Sequence, residues 1–458
     1  MFLSFIVFIS VIHVLFHGVE RVSATQRHPS ERFQKIRRPT SDKQGTKSHS
    51  PMDDPSQSED VDVIELPPVA VDNTPDPLRS FSLSLRSVQI ELCSLGASIT
   101  KFLVASETEK GKDDDIVLGY KDVATMYHTG NPVYFSAVVG RVANRIAKGR
   151  FSLEGKPFKL EINNSPNHLH GGSCGFNKKN WKASIVNSGV QFSLHSPDGD
   201  QGYPGAVQVT ATYTLRKSLS SSTGVILGLK LHAVLLDKDK STPINLSQHS
   251  YFNLAGQDEP KGIIDHSLSV EADAYTPVDS TSIPTREIRH LNSDATMDWR
   301  KERSLRESLE AFGMEKVGLP LEAARKNLKT RAPGCSETPY GFDHNYVVRK
   351  PQDPDTSTTL PKVASLSYKA RKLTVYSNAP GVQIYTANYL GENENESICK
   401  SKYGPWSGIC METQHFPDSI LEAASKTASD EFAAGKCPIL TPSDPEYSQN
   451  IEYHLEVH

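Results

Sequence analysis

From Phe81 to the C-terminus the chain keeps returning to one pattern, short runs in which apolar and polar residues alternate, each closed by turn residues. In "FSLSLRSVQIELC" the apolar positions are Phe81, Leu83 and Leu85, then Val88, Ile90 and Leu92. "GRFSLEGKPFKLEI" reads as two strands about Glu154-Gly155, and "WKASIVNSGVQFSLHS" as two about Asn187-Ser188-Gly189. "GAVQVTATYTL", "GVILGLKLHAVLL", "KLTVYSNAPGVQIYTANYL" and "SGICMETQHF" continue the series. Strand side chains point to opposite faces in turn, so this period suits a sheet with one buried face and not a helix. Many short strands joined by turns predict an all-β fold, a large antiparallel β-sandwich. There is no internal repeat and no Gly-rich phosphate loop.

One segment breaks the pattern. "WRKERSLRESLEAFGMEKVGLPLEAARKNL", 299–328, has helix-forming composition, with Leu305 and Leu309 one helical turn apart. It is expected to be a short helical surface insertion, about 299–335, dispensable for the fold. Upstream, Phe2 to Phe16 is almost wholly apolar and Val22-Ser23-Ala24 follows it. That is the form of a signal peptide over 1–24, although no Lys or Arg precedes the apolar run. A secreted chain is expected, with an uncleaved membrane anchor as the alternative. Residues 25–80 are rich in Ser, Pro, Asp, Lys and Arg, and are expected to be disordered because they bury too little to offset ordering entropy. The domain then spans 81–458.

The net charge of −4 supplies no basic surface for nucleic acid. The cysteines are Cys93, Cys174, Cys335, Cys399, Cys410 and Cys437, an even number that suits an oxidising compartment but too sparse for a disulfide framework. No CxxC and no HExxH occurs, so neither a structural zinc nor a zincin site is supported. Asn-x-Ser sequons stand at Asn163, Asn245 and Asn395. Asn395 lies in the polar stretch "GENENES" and is the expected acceptor, while Asn245 is expected to stay bare.

Four polar clusters lie far apart in the chain. "GRVANRIAKGRF" holds Arg141, Asn144 and Arg145 and leads to "NHLHGG" with His168 and His170. "PINLSQHSYFNLAG" carries His249, with Asn245, Ser247, Tyr251 and Asn253 at the same parity. "GFDHNYVV" holds Asp343 and His344, and "METQHFPD" holds Glu412, Gln414, His415 and Asp418. Singly, each has an ordinary reading: a surface pair, a turn, the solvent face of a half-buried strand. Together, a histidine and a carboxylate supply a general acid–base pair, and Asn, Arg, Asp, Gln and Tyr are the groups that hydrogen-bond sugar hydroxyls. A lectin, a sugar isomerase or a glycosidase using Asp343 and Glu412 all fit that inventory.

The segments "GRVANRIAKGRFSLEGK", "NHLHGG", "NLSQHSYFNLAG", "YTPVDSTSIPT", "GFDHNYVV", "APGVQIYTANYL" and "METQHFPD", in this order, make the chain closely resemble the aldose 1-epimerases, the galactose mutarotases. The resemblance covers about residues 85–455. It implies a mutarotase-like β-sandwich with an open cleft, and interconversion of the α- and β-anomers of free aldohexoses such as glucose and galactose. It further implies that His249 is the proton donor and Glu412 the proton acceptor. Asn144, Arg145, His170, Ser250, Tyr251, Asp343 and Gln383 become substrate-binding residues. No cofactor or metal is implied. The expected partner is the sugar alone, with no nucleic acid, no stable membrane association after signal cleavage, and a monomeric chain. Acid–base chemistry of this kind asks for a cationic His249, which the neighbouring carboxylate is expected to favour. A sugar-binding protein on the same fold, with little or no activity, is the competing function. Two departures stand out: Ser136 where Gly is more usual, and the length of the 299–335 insertion.

Overall fold

The longest strands show why the chain folds as sheets. In Val207–Lys217, Val207, Val209, Ala211, Tyr213 and Leu215 are fully buried while the residues between them are partly exposed. The strand pairs antiparallel with Val225–Leu235, from Val207↔Leu235 to Lys217↔Val225, without a register slip. Each apolar residue therefore faces another across the ladder on the core side.

The computed structural model describes residues 60–458, except 73, 107–108, 220, 319, 322–339, 350–359, 392 and 421–428. The expected signal segment 1–24 lies outside the described residues. A nine-stranded sheet runs in the order Lys182–Val186, Gly189–Ser196, Val207–Lys217, Val225–Leu235, Glu446–Val457, Arg371–Ser377, Lys362–Tyr368, Ser267–Val270, Arg303–Ser304. A six-stranded sheet runs Tyr251–Phe252, Ile409–Gln414, Gly381–Tyr385, Asp343–Val348, Ala272–Thr276, Arg289–His290. A five-stranded meander covers Asp62–Glu65, Ser80–Leu85, Val88–Cys93, Ser98–Ala105 and Asp113–Asp115. The strands of these sheets pair antiparallel. The three sheets share one core, to which they bring Phe81, Leu83 and Ile90, Val209, Tyr213 and Leu229, and Val382, Ile384 and Met411. The antiparallel β-sandwich expected from the alternation is the observed architecture. Both expected hairpins form, with Glu154 and Gly155, and Ser188, at positive φ in their turns.

Two boundaries differ from expectation. Residues before Phe81 are structured: Asp62–Glu65 pairs with Phe81–Ser84, Val69 bridges Leu78, and Leu78 is fully buried, while 25–59 of the expected disordered stretch lie outside the described residues. Val61 and Val63 pack against the core, so the few apolar residues of this polar stretch are placed where they count. Composition averages them away. The second correction concerns 299–335. The helix Leu305–Phe312 is capped by Ser304, whose side chain accepts from Glu307 N. It sends Leu305, Leu309 and Phe312 into the main core together with Trp299 and Leu321. Phe342 lies between Trp299 and Phe312, with ring centroids 5.0 Å away on both sides. The described part of the segment therefore buries one face in the core, with Glu310 and Met314 exposed on the other, and it braces the start of the strand Asp343–Val348. Residues 322–335 lie outside the described residues.

Cys93, Cys174, Cys399, Cys410 and Cys437 are free thiols. Among the described residues no helix is long and apolar enough to cross a membrane. Asn245 is completely buried, in keeping with a sequon that carries no glycan, and Asn395 is partly exposed.

Candidate active site

The six-stranded sheet builds one wall of the site by the period of two. Across its strands, Asn345, Gln383 and Glu412 are directly opposed, and beside them Asp343, Tyr385 and Cys410. Opposed residues share a face, so these six project together while Ile384, Val382, Met411 and Tyr346 project into the core. A polar row from three separated motifs is thus assembled by strand register alone.

The segment around His249 forms the facing wall, and here the alternation misleads. Every residue from 242 to 254 is buried, and only the two-residue stretches Thr242–Pro243, Ser247–Gln248 and Tyr251–Phe252 are strand. The solvent-face reading therefore fails. His249 is only 4 % exposed. Its backbone is held on both sides: His249 N donates to Ala137 O and Ser136 N donates to His249 O, both at 2.9 Å. The Gln248 side chain donates to Ser136 O at 2.8 Å and accepts from Ser250 N at 2.9 Å. Ser136 sits at φ +52 and is buried, which is why glycine suits this position. Tyr251 commits its hydroxyl to Val133 O at 2.9 Å, so it presents its ring to His249, 5.1 Å between centroids, and not a hydroxyl to a ligand. The Ser250 hydroxyl is buried with no hydrogen-bond partner.

The first cluster supplies the cation. Asn144 and His170 both adopt positive φ, and their backbones pair: His170 N donates to Asn144 O at 3.1 Å. Gly171, at φ +84, passes so near the backbone that a Cβ would lie 1.9 Å from Gly140 O; no other residue fits that turn. Arg145 reaches Asp343, Nη1 to Oδ2 3.7 Å, and donates through Nε to Asn164 Oδ1 at 3.2 Å. Gln383 donates to Asp343 Oδ1 at 2.7 Å. Asp418 holds this loop from the fourth cluster, donating through its backbone to Arg145 O at 3.0 Å and accepting from Ala147 N at 2.9 Å. Asn245 likewise grips the backbone of His415 with both amide atoms.

The structure brings together His249, Glu412, His170, Tyr251, Arg145, Asp343 and Gln383, with Asn144 on the ring of His170, whereas the Ser250 side chain meets none of them. Other members of the clusters are scaffold. Arg141 is buried and donates to Pro204 O, Gly205 O and Ser196. His168 bonds Glu161 O and the Tyr203 hydroxyl, and His344 points to the core side of its strand. Tyr134 was missed in the sequence. Its ring stacks over His249, 5.7 Å and 28° between planes, and lies 4.6 Å from His170. No motif spacing signals it, because a loop residue at φ +60 brings it there.

His249 Nε2 lies 3.6 Å from Glu412 Oε1, both side chains almost completely buried, and Glu412 Oε2 has no hydrogen-bond partner. Burial pushes His249 down to about 4 and Glu412 well above its usual range, the latter also raised by Asp343 and lowered by Arg145. Desolvation thus outweighs the pull of the carboxylate that was expected to keep His249 cationic. Both shifts favour the uncharged forms, imidazole and carboxyl, in the free site. His170 is also neutral, held well down by burial and by His249 and Arg145 nearby.

Ligand-capable atoms of His170, His249 and Glu412 lie within 4.8 Å of one another, the spacing of a metal site. The tautomers argue against one. His170 Nδ1 accepts the backbone N–H of Asn144 at 3.1 Å, so the proton of the neutral ring is on Nε2. That nitrogen can donate to a hydroxyl but has no lone pair for a cation.

An antiparallel β-sandwich carrying a buried His–Glu pair beside Arg, Asp and Gln side chains is an architecture suited to a sugar epimerase. Solved structures share the fold: an aldose epimerase homologue from C. elegans at TM-score 0.62, 22% identical, covering 87% of this chain and 100% of that one, and galactose 1-epimerase from Lactobacillus acidophilus at TM-score 0.63, with the same identity and coverage. The aldose 1-epimerase family model matches residues 79–430. The chain is 37% identical to galactose mutarotase of Sus scrofa over 343 residues, 75% of this chain and 87% of that protein. It is 34% identical to aldose 1-epimerase of Haemophilus influenzae over 288 residues, 62% of this chain and 73% of that protein. The chain belongs to the aldose 1-epimerase family, and it is an enzyme of the epimerase (mutarotase) class.

Proposed function

We propose that the enzyme interconverts the α- and β-anomers of free aldohexoses, galactose and glucose, by proton transfer between Glu412, His249 and the sugar. The relatives named galactose mutarotase support the sugar class. The observation that carries the mechanism is the pair itself: two proton-exchanging groups 3.6 Å apart, with Glu412 Oε2 unengaged. Glu412 takes the proton of the anomeric hydroxyl as His249 Nε2 gives one to the ring oxygen. The bond between the ring oxygen and the anomeric carbon breaks, leaving the open-chain aldehyde. Rotation about the neighbouring carbon–carbon bond turns the other face of the aldehyde to the ring hydroxyl. Reverse transfers then close the ring. Asp343, Gln383, Arg145 and Nε2–H of His170 hold the hydroxyls that do not react. Hydroxyls of a bound sugar, with Arg145, replace part of the solvation that Glu412 lacks and favour the ion-pair form from which the cyclic sugar reacts. The neutral pair is the protonation state left after opening, so the site returns to its resting form with the aldehyde in place. Both forms hold one proton, and none is exchanged with solvent.

Polarimetry on freshly dissolved α-galactose and α-glucose tests the function: the purified chain is expected to speed the approach to equilibrium rotation in proportion to its concentration. A rate indistinguishable from buffer, with sugar binding retained, would make it a sugar-binding protein instead.

The pH dependence follows from the shared proton. The one-proton state spans the interval from the depressed value of His249, about 4, to the raised value of Glu412. Turnover, corrected for the spontaneous reaction, is expected to be level from about pH 5 up towards the raised value of Glu412 and to fall as the pH approaches about 4. An acid limb centred near the ordinary histidine value of about 6.5 would contradict the buried pair.

A further inference from the structure

We propose that Cys410 is a positioning residue for His249: its thiol occupies the Nδ1 side of the imidazole and keeps the proton there, leaving Nε2 as the nitrogen that exchanges a proton with the sugar. The inference rests on the reading of His249 as the acid. Cys410 Sγ lies 3.6 Å from His249 Nδ1, while Nε2 faces Glu412. Both residues are buried, and Cys410 is fixed by register between Tyr251 and Tyr385 on the site face of the sheet. The other groups around the ring are Tyr134 stacked on it, Tyr251 tilted against it and His170 at its edge, with Asp343 and Arg145 beyond Glu412. The ring is also hydrogen-bonded by the backbone of His249 itself, and among the described side chains the thiol is the one within hydrogen-bonding reach of Nδ1.

A thiol suits this place for a chemical reason. Burial keeps it far above its usual range, so it stays an uncharged S–H. Its sulfur is a weak acceptor: it can select the Nδ1–H tautomer without stabilising the imidazolium. A carboxylate behind the ring would do both, and would make His249 a weaker acid. The ring oxygen of a sugar is a poor base, so a readily released proton on Nε2 favours its opening.

The test uses the full chain as wild type, Cys410→Ala and Cys410→Ser, each first shown by thermal melting to fold. Nitrogen-15 NMR of labelled imidazole reads the tautomer without turnover. The wild type is expected to hold Nδ1–H, Cys410→Ala a mixture, and Cys410→Ser the wild-type tautomer in larger part. Loss of the orienting thiol is expected to lower kcat for galactose in Cys410→Ala, with KM nearly unchanged and partial recovery in Cys410→Ser. If Cys410→Ala does not fold, the serine variant and the wild-type spectrum carry the test. An Nε2–H tautomer in the wild type, or an alanine variant with unchanged tautomer and kcat, overturns the proposal. A wild type holding Nδ1–H yet inert on all sugars would instead refute the reaction on which the proposal rests.

Discussion

Glu412→Gln is expected to lower turnover by at least about two orders of magnitude, because a positioned acid or base contributes about 10²–10⁴-fold. The amide keeps the shape of the side chain but cannot take a proton. His249→Asn is expected to act on the same scale, since it removes the donor to the ring oxygen. The double variant should be little worse than either single, because ring opening needs both transfers and losing one already blocks the step. Folding should persist: Glu412 Oε2 makes no hydrogen bond that the fold depends on, and His249 is held through its backbone. Asp343→Asn should separate from both. It meets Arg145 and Gln383 and is not part of the His249–Glu412 pair, so its expected effect is mainly on KM. Turnover and KM by polarimetry for the four variants decide the matter, and near-normal kcat in Glu412→Gln would remove the base from the mechanism.

The second large effect is on stability. Leu305 and Leu309 are completely buried, and truncating such a leucine to alanine costs about 2–5 kcal/mol. Leu309→Ala is therefore expected to shift the denaturant midpoint far more than Glu310→Ala, one residue on and exposed. Because the helix packs on Phe342 next to Asp343, Leu309→Ala should also raise KM for the sugar before it unfolds the chain. Equal midpoints for the two variants would restore the picture of a surface insertion. The same geometry predicts that replacing 300–335 by a short linker yields aggregation, since Phe342 would lose one of its two aromatic walls.

The sheets were legible in the sequence because a half-buried strand writes its environment into every second residue. The faces of Val207–Lys217 and Val225–Leu235 could be read on that pattern alone, while their pairing is a matter of tertiary structure. The helix at 305 was legible in kind, from Leu305 and Leu309, but not in burial. A helical stripe of a few leucines is the same whether it meets the core or lies on the surface, and only the position of Phe342 and Trp299 decides.

The ordered sugar-epimerase segments named the site residues, and their gathering is a matter of tertiary structure. Strand register alone places Glu412 beside Gln383, and Cys410 in the row of Asp343. The protonation of the pair was the part that sequence could not reach. A carboxylate near a histidine reads as support for the cation, yet the fold closes both parities of the His249 segment away from water. Desolvation then prevails, because the energy of a charge depends on all that surrounds it and not on one neighbour. Tyr134 and the thiol behind His249 belong to the same class of fact. The chain determined which chemical groups exist and which face of each strand they take; three-dimensional packing decided which of them touch, and in what state of charge.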